Sequence, residues 1–232
     1  HTNHNPGSKT GKCPVQHPEY VEELYNGDSS HPTALKQYLN TISYGQLDVV
    51  NIFPQLGNDG KTLATYKLDK NADQYSNENV DQIIQELMNG WSGKLPAGAD
   101  QNGDGVIDNL TIVVPCQNDG SSDPSFSGFK SSYGKGGTLG GYRVADYNLL
   151  PEYSAFLTGE AGMVIHEFLH TVGYPDLYRG DFSGMPVGRW DIMAAEGTFV
   201  QYPLAYLRSG ITNWFKMDTV TTSRTGCSLY AA

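Results

Sequence analysis

One run of eleven residues, from His166 to Asp176, constrains this chain more than any other feature. It reads HEFLHTVGYPD and fits the pattern H-E-x-x-H-x-x-G-x-x-D. Residues four apart lie on the same face of a helix, so His166 and His170 can direct their imidazoles to one point. Two histidines at this spacing bind zinc, and Glu167 beside them is within reach of a zinc-bound water. The run therefore predicts a helix that carries a metal site and a general base.

The third metal ligand has to come from outside the helix. The chain has six histidines and none follows the second histidine of the run, which excludes a downstream histidine ligand. We favour Asp176, because Gly173 is placed to end the helix and let the chain turn back toward the metal. Glu196 is the alternative, at a distance that suits a ligand on a second helix. Asp181 and Asp191 are weaker candidates. Three protein ligands leave one zinc position for water.

A methionine follows the metal-binding run at a suggestive distance. Residues 188–193 read GRWDIM and come after a glycine-containing loop. A methionine in a tight turn below the metal is the hallmark of the metzincins, and Met193 is placed to fill that position. Most methionines are simply core residues, so Met193 supports the metal site only in combination with the histidines.

A second motif, residues 100–108, predicts a calcium loop. It reads DQNGDGVID and matches the start of an EF-hand loop, in which oxygens at alternate positions surround a hard cation. The predicted ligands are the side chains of Asp100, Asn102, Asp104 and Asp108 and the backbone carbonyl of Val106. The twelfth position, where an EF-hand has a bidentate glutamate, is Thr111. We therefore expect a single structural calcium loop, with a solvated turn as the alternative.

These stretches resemble the immune inhibitor A family of secreted bacterial metalloproteases. The similar segments are HEFLHTVGYPDLY at 166–178, WDIM at 190–193, LKQYLNTISYGQL at 35–47, DGVID at 104–108 and the segment 147–152. The likeness runs from about Pro18 to about Val220. It implies a zincin fold, endopeptidase activity, catalytic zinc and structural calcium. By position it implies His166, His170 and Asp176 as zinc ligands and Glu167 as the base. The polar residues 1–16 depart from the apolar first strand expected of the family.

Periodicity predicts an α+β fold of the zincin or metzincin type. We expect helices over residues 32–43, 79–91 and 201–215 in addition to the metal-binding helix. We expect strands over 46–54 and 110–115, the second central in a sheet, and an edge strand within 141–150. Residues 117–141 are rich in glycine and serine and predict a long surface loop near the site.

We expect one catalytic domain over residues 1–232. It comprises a polar segment 1–17, an upper lobe 18–173 and a lower lobe 174–232. The upper lobe holds a twisted mixed sheet, helices and the active-site helix. The lower lobe is irregular, partly helical, and carries the methionine turn.

Charge and composition limit the partners. The net charge of −10 argues against nucleic acid and anionic membranes as partners, and no apolar stretch is long enough to enter a membrane. Three cysteines leave at least one unpaired, and no CxxC pattern indicates a cysteine metal site. The expected protein is a secreted, monomeric zinc endopeptidase, a hydrolase acting on proteins or peptides. The alternatives are a non-catalytic binding or adhesion domain on the same scaffold, and a zinc peptidase that uses Glu196.

Overall fold

The computed structural model describes residues 18–53, 66–70, 74–114, 128–151, 161–181, 183–195, 200–218, 221–222 and 226. The helices are α1 (Pro18–Asn26), α2 (Leu35–Ile42), α3 (Val80–Gly90), α4 (Gly162–Thr171) and α5 (Ala205–Gly210). Short 3-10 helices occupy Asn77–Asn79 and Ala97–Ala99. The strands are β1 (Leu110–Val114), β2 (Phe129–Ser132), β3 (Thr138–Leu139), β4 (Tyr142–Arg143) and β5 (Asp146–Pro151). Helices and small sheets are thus mixed, as an α+β chain requires.

Within the described residues, the larger sheet has three strands in the order β1-β5-β2. β5 is the central strand: it pairs in parallel with β1, with Leu110 opposite Tyr147, and antiparallel with β2, with Phe129 opposite Leu149. Leu149 and Leu150 are both fully buried, so β5 is covered on both faces. The expectation of an edge strand within 141–150 is therefore wrong, and among the described strands 110–114 lies at an edge of the sheet and not in the centre expected for 110–115. Strand order depends on pairing between distant segments, which local periodicity does not report.

A two-stranded hairpin, β3 with β4, precedes β5. Gly140 and Gly141 form its turn with φ angles of +59° and +104°, a backbone region that side chains with a Cβ rarely enter. β2 and β3 lie inside the stretch 117–141, so the expectation of a continuous loop there is wrong for 128–141. Residues 117–127 lie outside the described residues. Strands of two to four residues are too short to give a periodic signal.

The helix predictions hold best for α2 and α3. Both lie inside their predicted ranges and bury apolar residues, such as Leu39 in α2 and Ile83 in α3. α5 is much shorter than the predicted 201–215. It begins after Leu204, whose ψ of 145° is extended, and it ends at Gly210.

The strand predicted over residues 46–54 is wrong for its described part, 46–53, which carries no strand. Hydrogen bonds between Asn51 and Asn26 connect this segment to the end of α1. The Asn51 N–H donates to Asn26 Oδ1 at 2.9 Å, and the Asn26 side-chain N–H donates to the Asn51 carbonyl at 2.9 Å. Backbone groups that would pair with a strand are satisfied by a side chain instead.

Two apolar clusters form the core of the described chain. The first cluster surrounds α4 and includes residues of α1, α2, β5, α5 and the segment 191–194. The second cluster lies between α3 and strands of the two sheets. α4 is therefore fixed from several sides, with Ile165 and Leu169 fully buried. In the described part of the chain, no helix is both long and apolar enough to cross a membrane.

Candidate metal centre

Helix α4 ends where the sequence predicts. Its buried positions Val164, Ile165 and Leu169 pack into the first cluster and set the helix rotation. Gly173 follows with a φ of +96°, the left-handed conformation that terminates many helices. The Tyr174 N–H then donates back to the Leu169 carbonyl at 3.1 Å. The chain reverses at this point and returns toward the face of the helix that carries the histidines.

The reversal brings Asp176 to His166 and His170. Asp176 Oδ1 lies 3.1 Å from His166 Nε2 and 3.3 Å from His170 Nε2, and the two Nε2 atoms are 3.2 Å apart. These three side chains are the one group of three or more potential metal-ligating residues found among the described residues.

The size of this triangle fits zinc. Ligand atoms about 2.0–2.1 Å from a tetrahedral ion lie about 3.3–3.4 Å from one another. The observed separations of 3.1 to 3.3 Å are within about 0.2 Å of that spacing. An ion at such a site would have three ligands on one side and the other side open to the cleft.

The outer nitrogens of both histidines fix their protonation. His166 Nδ1 lies 2.9 Å from the Ile192 carbonyl oxygen, and His170 Nδ1 lies 2.7 Å from the Tyr174 carbonyl oxygen. A carbonyl only accepts, so each Nδ1 is the donor in its contact and each Nε2 is left to face the metal position. Two ring nitrogens and a carboxylate oxygen thus converge on one point. Three protein ligands of a bound zinc ion converge in the same way.

The methionine of the WDIM segment lies in a turn beneath these ligands. Met193 is fully buried, and the Ala194 N–H donates to the Asp191 carbonyl at 3.0 Å to close the turn. The turn contacts the metal-binding segment on both sides, through the Ile192 carbonyl and through the Met193 carbonyl, which accepts the Leu177 N–H at 2.8 Å.

A cleft of about 370 Å³ opens beside the histidines. Glu167 lies in it and is 6% exposed, so the general-base candidate borders the same space as the ligands. The remaining lining comes from α4, the segment that follows it, β2 and the residue before β2: His170, Asp176, Tyr178, Phe129, Lys130 and Gly128. The ring of Tyr178 lies parallel to that of His166, with centroids 6.5 Å apart.

The β2 residues of the cleft were not predicted from the sequence. Lys130 Nζ is 3.0 Å from Asp146 Oδ2, and the Ser132 hydroxyl donates to the other carboxylate oxygen at 2.6 Å. The hydroxyl, and after it the ammonium group, lower the pKa of Asp146 below its usual value. Nothing in the pattern of residues 128–132 marks them as site residues, because their place depends on pairing with β5. Among the cleft residues that were not predicted, Tyr178 could have been indicated by the sequence, because it follows Asp176 by two residues.

Two of the alternative metal ligands, Asp191 and Asp181, lie elsewhere. Asp191 is fully buried below the turn, with both carboxylate oxygens hydrogen bonded to backbone N–H groups. Asp181 is exposed and accepts the Ser183 N–H at 2.9 Å. The bond from the Ser183 hydroxyl, and after it that from the Ser183 N–H, lowers the pKa of Asp181. Glu196 and the three cysteines lie outside the described residues.

The predicted calcium loop forms a tight, exposed coil. Asp100 Oδ1 accepts the N–H groups of Gly103 and Asp104 at 2.8 and 3.1 Å, and its Oδ2 accepts that of Gly105 at 2.9 Å. Gly105, at the sixth position, has a φ of +78°. The backbone thus wraps around the first aspartate, as the bend of a cation-binding loop requires.

The other predicted ligands of the loop are also bonded to its backbone. Asn102 Oδ1 accepts the Asp104 N–H at 2.9 Å, and Asp104 Oδ1 accepts the Val106 N–H at 2.8 Å. Asp108 Oδ2 accepts the Gln101 N–H at 2.9 Å. The carboxylates of the loop do not converge as closely as the three residues of the metal centre. Calcium at this loop therefore stays a prediction.

Comparison with models of protein families gives no match for this chain, and comparison with curated proteins gives none either. The function of this chain is therefore inferred from the geometry of the site and from the resemblance of its motifs to those of the immune inhibitor A family.

Proposed function

We propose that this protein is a zinc-dependent endopeptidase of the zincin type. The observation that carries the proposal is the convergence of His166 Nε2, His170 Nε2 and Asp176 Oδ1 within 3.1 to 3.3 Å of one another. The buried carboxyl group of Glu167 borders the same cleft. A metal with three protein ligands, an open side and an adjacent carboxylate is the arrangement of a hydrolytic zinc site.

In this proposal the metal and the side chains of the protein supply different parts of the chemistry. Zinc at such a site lowers the pKa of its water and polarises the scissile carbonyl group. Glu167 accepts a proton from the attacking water and delivers it to the amine that leaves. His166 and His170 keep their protons on Nδ1 throughout, because their carbonyl partners hold them there.

A peptide substrate is favoured by the position of β2. In the described chain this strand pairs with β5 on one side, and Gly128, Phe129 and Lys130 line the cleft. An extended peptide can add to the open edge of a sheet through backbone hydrogen bonds, which places its chain across the site. The strand at this edge of the described sheet is thus β2, and not the segment 141–150 for which the sequence predicted an edge strand. Secretion, a monomeric state and the metzincin form of the fold belong to the same proposal.

Metal removal tests the activity directly. We expect the purified chain to contain one zinc per molecule, to hydrolyse casein, and to lose the activity when the metal is chelated. Activity should return when zinc is added at one equivalent. An internally quenched peptide library then identifies the bond cleaved. Zinc bound at one equivalent without hydrolysis of any substrate would favour the non-catalytic binding domain, and the absence of zinc binding would refute both.

Calcium should stabilise the fold through the loop at residues 100–108. Free calcium at 100 times its Kd adds about 2.7 kcal/mol to the free energy of unfolding, which raises the Tm of a domain this size by about 5–10 °C. We expect Asp100→Ala to abolish the rise, because this side chain is at the centre of the coil. The measurement is a thermal melt with calcium against magnesium. An equal rise in Asp100→Ala would show that calcium binds elsewhere, and no rise in the unmodified protein would leave the loop as a simple turn.

A further inference from the structure

The side chain of Asp191 joins two segments beneath the metal centre. It is fully buried. Its Oδ1 accepts the Met193 N–H at 2.7 Å, inside its own turn, and its Oδ2 accepts the Leu204 N–H at 2.6 Å, at the start of α5. Each carboxylate oxygen therefore serves a different segment, and both partners are backbone donors.

The turn that Asp191 closes is bonded to one of the three proposed metal ligands and to the residue that follows another. The Ile192 carbonyl lies 2.9 Å from His166 Nδ1 and so fixes the orientation and the protonation of that ring. The Met193 carbonyl accepts the Leu177 N–H at 2.8 Å, and Leu177 directly follows Asp176. A shift of the turn would therefore move both ligands.

The remaining ligand is independent of the turn. His170 Nδ1 is bonded to the Tyr174 carbonyl, within the segment that follows α4. The site thus has one ligand fixed by its own helix end and two fixed by the turn, so loss of the turn should change the geometry without removing every ligand.

We propose that Asp191 is a positioning residue, whose two hydrogen bonds hold His166 and Asp176 at the spacing that zinc requires. The inference rests on the proposed function, because zinc is the ion whose binding reports the spacing. Only a carboxylate fits this position: it accepts on both oxygens, whereas an amide presents an N–H₂ group to one of the two donors. Charged acceptors also form the stronger hydrogen bonds, and ligand geometry must hold within about 0.5 Å.

The test is Asp191→Asn with zinc affinity as the readout. Changes in groups that orient metal ligands weaken binding by about 10- to 100-fold, and we expect a loss in that range, measured by competition with a chromogenic chelator. The visible spectrum of the cobalt-substituted protein should also change, because the ligand geometry changes. The matched control is Asp181→Asn, an exposed aspartate that also accepts a backbone N–H. It should bind zinc as the unmodified protein does.

A second variant separates positioning from general stability. Leu204→Pro removes the N–H that Oδ2 accepts and keeps the carboxylate, and the φ of −52° at Leu204 suits proline. It should weaken zinc binding less than Asp191→Asn. When Asp191→Asn is added to the Leu204→Pro protein, it should weaken zinc binding by a smaller factor than it does alone. The reason is that the new amide no longer faces the Leu204 N–H.

The outcomes distinguish the two proposals. If the unmodified protein binds no zinc, the proposed function fails. If it binds zinc and Asp191→Asn and Leu204→Pro bind it equally well with an unchanged cobalt spectrum, the positioning role of Asp191 is overturned while the proposed function stands. Should Asp191→Asn not fold, Leu204→Pro decides alone: wild-type affinity and spectrum overturn the positioning role.

Discussion

Glu167→Gln should lower kcat/KM for casein by about 10³-fold or more while zinc remains bound at one equivalent. General acid–base catalysis contributes about 10²- to 10⁴-fold, and here one side chain both accepts and delivers the proton. Glutamine keeps the shape of the buried side chain, which is 6% exposed, and removes the basic oxygen. Because Glu167 is not among the three converging residues, the metal should be unaffected.

The matched control for this change is Glu78→Gln, an exposed glutamate in the 3-10 helix Asn77–Asn79. Both variants should be assayed for casein hydrolysis and for zinc content by mass spectrometry. The control should keep full activity and full zinc. A Glu167→Gln protein that cleaves casein at the wild-type rate would refute the assigned role, and one that loses its zinc would show that Glu167 acts on the metal instead.

Asp176→Ala should weaken zinc binding by more than about 100-fold, since even changes beyond the direct ligands cost 10- to 100-fold. Its Oδ1 is the third corner of the triangle, and without it two histidines hold the ion. Activity should fall in parallel, and zinc in excess should restore part of it. Competition with a chromogenic chelator measures the affinity.

This variant also decides between the two candidate third ligands. Glu196→Ala should bind zinc with wild-type affinity, as should Asp181→Ala, in which an exposed aspartate of the same loop region is removed. The opposite pattern, with Glu196→Ala losing zinc and Asp176→Ala keeping it, would reassign the third ligand to Glu196.

The local parts of the metal centre could be predicted from the sequence. The four-residue spacing of His166 and His170, the glycine that ends the helix and the absence of a later histidine together predict Asp176 as the third residue. Each of these signals acts within a few residues along the chain. Helix geometry and the backbone freedom of glycine therefore suffice to bring the three side chains together.

The parts that depend on distant contacts could not be predicted. Among the described strands, β1 and β5 exchange the central and edge positions that periodicity suggested, because the order of strands follows from pairing across the chain. The segment 46–53 has the β-branched residues of a strand, yet Asn26 takes the hydrogen bonds of Asn51 from a position 25 residues earlier. The contact between the Ile192 carbonyl and His166 could not be predicted either, because a backbone carbonyl leaves no signature in the sequence.

Anomalous diffraction at the zinc absorption edge is the most direct test of the site. Crystals of the zinc-loaded protein should show one anomalous peak about 2.0–2.1 Å from His166 Nε2 and His170 Nε2 and about 2.0–2.2 Å from Asp176 Oδ1, with its open side toward the cleft that Glu167 borders. A peak at any other group of residues, or no peak in protein that contains stoichiometric zinc, would contradict the assignment of these three residues as the metal centre.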